Sequence, residues 1–412
     1  MLYIRLRAYN AEKTIIRAIE SVLNQTYKDF QFYVCDNASR DGTREIIKAY
    51  ALKDSRIKAF YTDINFDFTN IREYQQLIFQ LSREDMYTEI DADDEFEPDF
   101  LEKTVDAMNN NDADIVMAGN SFYVQKRNGE FAFSSNRVSD MIYHLNDKEI
   151  WNNLSYVYQF ARTIWGKLYR GHVFNELYTS EFVKKNNIVR PERYAADTHA
   201  VLLALRNASK ITIINEVLYK YYVYPQSDSY TLDKGRIESD QIIFNNALLI
   251  IKDKESVSFH TIEFLSIVYQ NALIDTFKLI KNSKNSFDQK IEYLNIALMN
   301  EYTNTLLKKD QYLFFKGYEL KMENLVIDIV KYICNILEDL YTQKKNALFI
   351  LEILFAWLND AENWINVKKL MIEYYIENKD IELALEKLNE VEDLITGDED
   401  IKTYKKELMI EG

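Results

Sequence analysis

From residue 2 to residue 90 the chain alternates between two periods. The stretches "LYIRL" (2–6), "FQFYVCD" (30–36), "RIKAFYTD" (56–63) and "MYTEI" (86–90) read as strands. Between them, "NAEKTIIRAIESVLNQ" (10–25), "DGTREIIKAYAL" (41–52) and "NIREYQQLIFQLS" (70–82) repeat apolar residues every three or four positions, as amphipathic helices do. Asn10 is the expected N-cap of the first helix. Strands that alternate with helices of this length predict crossover units, and so an α/β, Rossmann-like, mostly parallel sheet. Ligands of such sheets bind beyond the carboxyl ends of the strands. Polar segments stand at three of those ends: "RAYN" after the first strand, "DNASRDG" after the second and "DADD" after the fourth.

The alternation stops near residue 230. Pro98, Pro191, Pro225 and five of the nine glycines all precede residue 226. The rest, poor in helix breakers, carries helix-period segments such as "SDQIIFNNALLIIKD", "TIEFLSIVYQNALIDTFKLI" and "ENLVIDIVKYICNILEDLY". The expected division is an α/β domain over 1–235 and an all-α region over 236–412. That region ends in "NVKKLMIEYYIENKDIELALEKLNEVEDLI", two helices joined at "ENKD". There Ala384 and Leu385 fall where a tetratricopeptide-like repeat sets small and large residues, although one copy is a thin signal.

A chain of 412 residues has room for two or three cores, and 47% hydrophobic with 28% charged residues is ordinary for a soluble globular protein. The formal net charge of −15 argues against general nucleic-acid binding, which needs a basic surface to displace counterions. Cys35 and Cys334, far apart, read as free thiols of a reducing cytosol. "MLYIRLRAYN" lacks the apolar run of a signal peptide. "ALFILEILFAWL" (347–358), short and broken by Glu352, suits a buried helix better than a membrane span. Most of the 30 tyrosines are expected to line cores and grooves.

Five carboxylates crowd the seven positions from Asp91 to Glu97. Like charges at this density repel unless water screens them or a cation binds them. A solvated acidic loop is one reading. A calcium loop is another, since acids fall at positions one, three, five and twelve counted from Asp91, but Phe96 replaces the required glycine and a strand precedes the loop. The third starts from what is missing. No glycine-rich dinucleotide fingerprint, phosphate loop, zinc-protease helix or serine elbow is present, so a nucleotide's phosphates would need a carboxylate-held Mg²⁺ or Mn²⁺ at the sheet mouth.

These residues resemble a known family. "AYNAEKTIIRAIESVLNQTYKDFQFYVCDNASRDGTREIIKAY" is similar to the opening of family-2 glycosyltransferases, and "DADDEFEPDFLEK" to their Asp-any-Asp segment. "WGKLYR" (165–170), "NNIVRPERYAADTHAVLLAL" (186–205) and "EVLYKYYVYPQSDSYT" (216–231) resemble later landmarks in the same order. The resemblance covers about residues 1–230 and none beyond 240. It implies the A-type glycosyltransferase fold, a nucleotide-sugar donor (usually a UDP-sugar), a divalent metal, Mn²⁺ or Mg²⁺, and inversion at the anomeric carbon. The acceptor would be a glycan, a lipid-linked oligosaccharide or a glycoprotein. A cytoplasmic protein is expected, peripheral at the inner membrane face, its helical region serving acceptor binding, docking or homo-oligomerisation. The competing reading is a degenerate transferase domain acting as a scaffold.

Carried over by position, Tyr9 would stack on the base and Asp36 would accept from the base N–H. Asp91 would contact the ribose region and Asp93 the metal, with Asp94 supporting it. Asp197, in "YAADTHA", would be the general base. Each has a plainer alternative: Tyr9 packing at a strand end, Asp36 in a turn, Asp197 capping a helix. Trp165 could line the acceptor pocket or fill a core, and His199 is not assigned as a ligand. Two departures stand out: Arg7 where the family has Pro, and Ala196 where an acid precedes the base. Arg5 and Arg7 share a strand face, and arginine in a central strand is costly unless paired. They are expected to meet carboxylates or donor phosphates, with Arg7 a donor-binding candidate.

Overall fold

The structure, a computed structural model, describes residues 1–65, 81–175, 177, 180–191, 194–224, 232, 234–254, 257–298, 312–315, 318–321, 348, 349, 352 and 361–411. Most of the expected helix over 70–82, the segment 323–341 with Cys334, most of 347–358 and the end of "EVLYKYYVYPQSDSYT" lie outside the described residues.

Chain contacts group residues 1–230 with 242–264 in one compact unit, and 231–241 with 265–412 in a second. The first is built on one mixed sheet. Its strands are β1 (Leu2–Ala8), β2 (Phe30–Asn37), β3 (Ile57–Thr62), β4 (Met86–Asp91), β5 (Glu95–Phe96), β6 (Ile115–Gln125), β7 (Phe131–Arg137), β8 (Tyr143–Asn146), β9 (Lys167–Arg170) and β10 (Lys210–Val223). They run in the order β3-β2-β1-β4-β9-β6-β10-β5, with β7 against β6 and β8 against β10. β3, β2, β1 and β4 are mutually parallel, and so are β6 and β10. β9 enters antiparallel between β4 and β6.

Helix α1 (Ile15–Leu23) links β1 to β2, and α2 (Thr43–Lys53) links β2 to β3. The chain then returns to the other flank of β1 as β4, so the strand order reverses there and a crevice opens at the carboxyl ends. Leu2, Ile4, Leu6 and Ala8 turn one face of β1 into the core with Ile15, Ile19, Phe32, Val34 and Phe100. The opposite face carries Tyr3, Arg5 and Arg7. The β1–β4 register sets Arg5 beside Glu89 and Arg7 beside Asp91. The arginine expectation holds for Arg5, which pairs with buried Glu89, itself accepting from the Tyr87 hydroxyl at 2.6 Å.

A close approach fixes Gly171, just after β9, where its N–H donates to the Asp85 carbonyl at 2.8 Å. A Cβ there would run into the Ser82 carbonyl oxygen and lie 2.8 Å from Leu81 Cβ. Gly171→Ala is therefore expected to cost about 1–3 kcal/mol of stability, read by chemical denaturation.

Among the described residues the second unit is helical as expected, with one addition, an antiparallel hairpin of Tyr312–Phe315 and Tyr318–Lys321. "YLFF" is rich in aromatic strand formers, and a helix-period reading passes over so short a run. Helices Ala361–Glu377 and Ile381–Glu392 pack as a pair, with Glu399–Glu411 against both. Ala384, Leu388 and Val391 are buried at the contact, while Leu385 faces outward.

Candidate functional site

Two loops form one rim of the crevice, the segment after β1 and the segment after β2. Backbone N–H groups of one loop donate to side chains of the other: Asn10 to Ser39 Oγ at 2.9 Å, Ala11 to Thr43 Oγ1 at 2.8 Å, and Arg40 to Asn10 Oδ1 at 2.8 Å. Glu12 Oε2 accepts from Gly42 N–H at 2.8 Å. Asn10 and Ala38 adopt positive φ, which lets both loops turn sharply off their strands. Asn10 is therefore a loop residue that stitches the rim, and Thr14 precedes the first helix instead.

Beneath this rim is a cleft of about 770 Å³. Arg7, Tyr9, Asn37, Asp91, Asp93 and Tyr224 are among its lining residues. Four of the sequence candidates thus meet on one surface. Tyr9 is 45% exposed, which leaves its ring free to accept a stacking partner. Arg7 is exposed, opposite Asp91 across the strand pair, and has no ion pair among the described residues.

The acidic run separates by burial. One oxygen from each of Asp91, Asp93 and Asp94 lies within 4.8 Å of the other two. Asp94 is fully buried and held on both sides: Tyr219 Oη donates to it at 2.8 Å and the Tyr222 N–H at 2.9 Å. Tyr219 Oη also accepts the Asp91 N–H at 3.3 Å. Glu95 forms an ion pair with Arg17 at 3.1 Å and accepts from Tyr222 Oη at 2.6 Å, so it serves the loop's anchorage. Arg17 in turn lies 3.7 Å from the Tyr222 ring centroid and donates to the Asp93 carbonyl. The loop is thus bolted to α1 and β10 while Asp91 and Asp93 open on the cleft.

The Asp91 carboxyl is pushed up to about 8, by removal from water first and then by the charges of Asp197, Asp93 and Glu89, against the pull of Arg7. Solvent reaches Asp91 at the cleft surface, so like-charge crowding is the cause that the geometry supports best. Burial likewise raises Asp93 and Asp94. Hard oxygen donors crowded and partly protonated in this way fit a divalent cation, whose charge would remove the repulsion. A pH dependence follows. Between 3.8, where a free Asp ionises, and about 8, the folded chain keeps a proton that the unfolded chain has released. Without metal, stability is therefore expected to fall as pH rises through that window, and Mn²⁺ to restore it increasingly. Melting curves with EDTA and with Mn²⁺ across the window check both signs.

The other candidates lie behind this surface. Asp36 is fully buried, with Oδ1 accepting the Ser39 N–H at 3.0 Å and Oδ2 accepting Arg44 Nε at 2.6 Å. Trp165 is 5% exposed, its ring stacked between Tyr219 (4.4 Å) and Tyr221 (5.0 Å), so it braces β10 from the core rather than lining the cleft. Asp197 stands in the first turn of helix Ala196–Asn207, half-buried, after Ala195 in the left-handed region. It does not line the cleft, yet its charge acts on Asp91, Glu89 and Lys167. His199 points the other way. It is buried against Asn246 Nδ2 (2.8 Å), and burial lowers its pKa to about 4. Sequence reasoning missed Arg17, Tyr219 and Tyr222 as anchors and Tyr224 as a lining residue. The only signal was the tyrosine run of "EVLYKYYVY", in which no single ring stands out.

Comparison with known proteins points the same way. Residues 6–171 match the family model described as glycosyl transferase family 2. Glycosyltransferase GlyG of Streptococcus pneumoniae serotype 4 is 24% identical over 217 residues, 52% of this chain and 67% of that protein. The uncharacterized glycosyltransferase EpsJ of Bacillus subtilis is 27% identical over 225 residues, 53% of this chain and 60% of its own length. The cholesterol galactosyltransferase of Borreliella burgdorferi is 28% identical over 225 residues, 51% of this chain and 57% of its own length. The chain thus spans about two thirds or less of these relatives. Among solved structures, S. aureus TarS 1–349 in complex with UDP-GlcNAc has a TM-score of 0.52 at 15% identity, covering 89% of this chain and 90% of that one, a likeness of fold.

Proposed function

We propose, from the match of residues 6–171 to the family-2 glycosyltransferase model, that this protein moves a sugar from a nucleotide diphosphate donor, a UDP-sugar, to an acceptor hydroxyl with inversion. The observation that carries the reading is the meeting of Arg7, Tyr9, Asp91 and Asp93 on one cleft at the carboxyl ends of parallel strands. Asp197 stands within electrostatic reach of that cleft.

In this reading Tyr9 stacks on the base. Asp36, fully buried and already bound by Arg44 and the Ser39 N–H, would accept from the base N–H only once the base reaches behind the cleft surface. Asp91 takes the ribose region and Arg7 a diphosphate oxygen. Asp93, with Asp94 behind it, would hold Mn²⁺ or Mg²⁺, which when bound neutralises the charge gathering on the departing diphosphate. Asp197 takes the acceptor proton as the hydroxyl oxygen attacks the anomeric carbon from the face opposite the leaving group. Acceptors of the glycan, lipid-linked or protein type fit this chemistry. Among the described residues no helix is long and apolar enough to cross a membrane. In this reading the enzyme works at the cytoplasmic face of the membrane, with the helical unit as a docking or self-association element.

UDP titration by melting temperature, with and without Mn²⁺, tests the reading. A rise that needs both is expected, because a ligand bound only to the folded chain stabilises it by mass action. No rise, together with no release of UDP from any UDP-sugar, would leave the scaffold reading in its place.

A further inference from the structure

Asp197 has no partner of its own to fix its aim. Half-buried, it makes no hydrogen bond or ion pair among the described residues. The helix it begins is not capped either. Ala195, at φ 53°, stands at the N-cap position with no side-chain acceptor, and Ala196 follows it. An uncapped first turn leaves N–H groups unsatisfied, and such ends fray. The next two side chains supply the missing support. The Thr198 hydroxyl, on a residue only 8% exposed, donates to the Arg162 carbonyl at 2.8 Å. Buried His199 meets Asn246 Nδ2 at 2.8 Å.

The loop that Thr198 holds is itself tied at every residue. Arg162 accepts from Thr198, while the carbonyls of Thr163 and Trp165 both accept from the buried Lys167 ammonium. The Ile164 carbonyl accepts from Tyr169 Oη at 3.0 Å, and the Gly166 carbonyl from the Ala118 N–H at 3.0 Å. Lys167 and Tyr169 belong to β9, which is joined in turn to β4. Tyr169 pairs with Tyr87, and the Thr88 hydroxyl donates to the Lys167 carbonyl at 2.6 Å. β4 ends in Asp91. Direct contacts therefore run from the strand of Asp91 through β9 and the 162–166 loop to Thr198, the neighbour of Asp197. A base without a partner is aimed by its backbone alone, and a misplacement of about 1 Å can cost about a hundredfold in rate.

We propose that Thr198 is the positioning residue of the general base: its bond to the Arg162 carbonyl sets Asp197 in register with the strand that carries Asp91. This rests on the transferase reading of Asp197, but the tie itself is testable without it. The assay is UDP release in Mn²⁺ from whichever of the UDP-hexoses and UDP-N-acetylhexosamines the full chain hydrolyses. Water then stands in for the acceptor. Its oxygen bonds to the anomeric carbon, its proton passes to Asp197, and UDP departs.

T198V keeps the shape of the side chain and deletes the donor. It is expected to lower kcat about tenfold while KM for the donor stays unchanged. T198S, which keeps the hydroxyl, should stay within about twofold of the parent. The D197N background separates aim from general stability. Once the base is gone its aim no longer matters, so T198V/D197N should be no slower than D197N. A further loss there, a T198V kcat equal to the parent's, or a fall that T198S shares overturns the proposal. If T198V fails to fold, Y169F, which frees the Ile164 carbonyl of the same loop, takes its place in the same cycle. If the parent releases no UDP from any of these donors, the transferase reading fails. Amide hydrogen exchange then decides the tie by itself, read at His199, whose N–H donates to the Ala195 carbonyl at 3.0 Å. Faster exchange in T198V is expected, and unchanged protection overturns the tie.

Discussion

Replacing Asp93 with Asn is expected to lower sugar transfer about a thousandfold, since charge stabilisation of the leaving group by a bound cation is worth several kcal/mol and each 1.4 kcal/mol is a factor of ten. Asp93 opens on the cleft and its carbonyl, not its carboxylate, anchors the loop to Arg17. The variant should therefore fold, with a melting temperature in EDTA no lower than the parent's, because one of the charges crowding Asp91 is gone. Its distinguishing mark is the Mn²⁺-dependent part of the UDP-induced rise, which should vanish. Asp94→Asn would not give the same clean result, because its buried carboxylate accepts from both Tyr219 and the Tyr222 backbone. Loss of that bridge would move the loop itself. An Asp93 variant that keeps both its transfer rate and its Mn²⁺-dependent UDP response would remove this residue from the metal site.

Replacing Asp197 with Asn is expected to cost about a hundredfold to ten-thousandfold in transfer, the usual range for a lost general base. Here the Mn²⁺-dependent donor response should survive, since Asp197 does not line the cleft and acts on Asp91 only through its charge. The two variants thus separate donor capture from acceptor activation. The side chain is half-buried in the first turn of its helix and makes no hydrogen bond or ion pair among the described residues, so little stability is expected to depend on it. Steady-state transfer and UDP titration on the same sample check both halves. A rate that falls in proportion to UDP affinity would mean that Asp197 acts on the donor instead.

Much of this was readable in the one-dimensional pattern. The period-2 and period-3.6 stretches determined the crossover units, and the polar residues at their ends marked where the cleft would open. β1 shows the limit. Its alternation set Arg5 and Arg7 on one face, yet only the β1–β4 register decided that Arg5 meets Glu89 and is neutralised while Arg7 reaches the cleft. Trp165 shows it again, because in the sequence this tryptophan reads equally as pocket wall or core. The stack between Tyr219 and Tyr221 settled its place.

The acidic run makes the same division sharpest. By itself the sequence determined the strand before it, the spacing of Asp91 and Asp93, and the absence of any other means of holding phosphates. What the tertiary structure alone decided was which carboxylates are free. Tyr219 and Tyr222 bind Asp94, and Arg17 binds Glu95, and these residues stand 78 or more positions away. The reason is physical. Backbone periodicity is a local property written into neighbouring residues, whereas the charge state and reach of a carboxylate depend on partners that only the folded chain brings within a few ångströms.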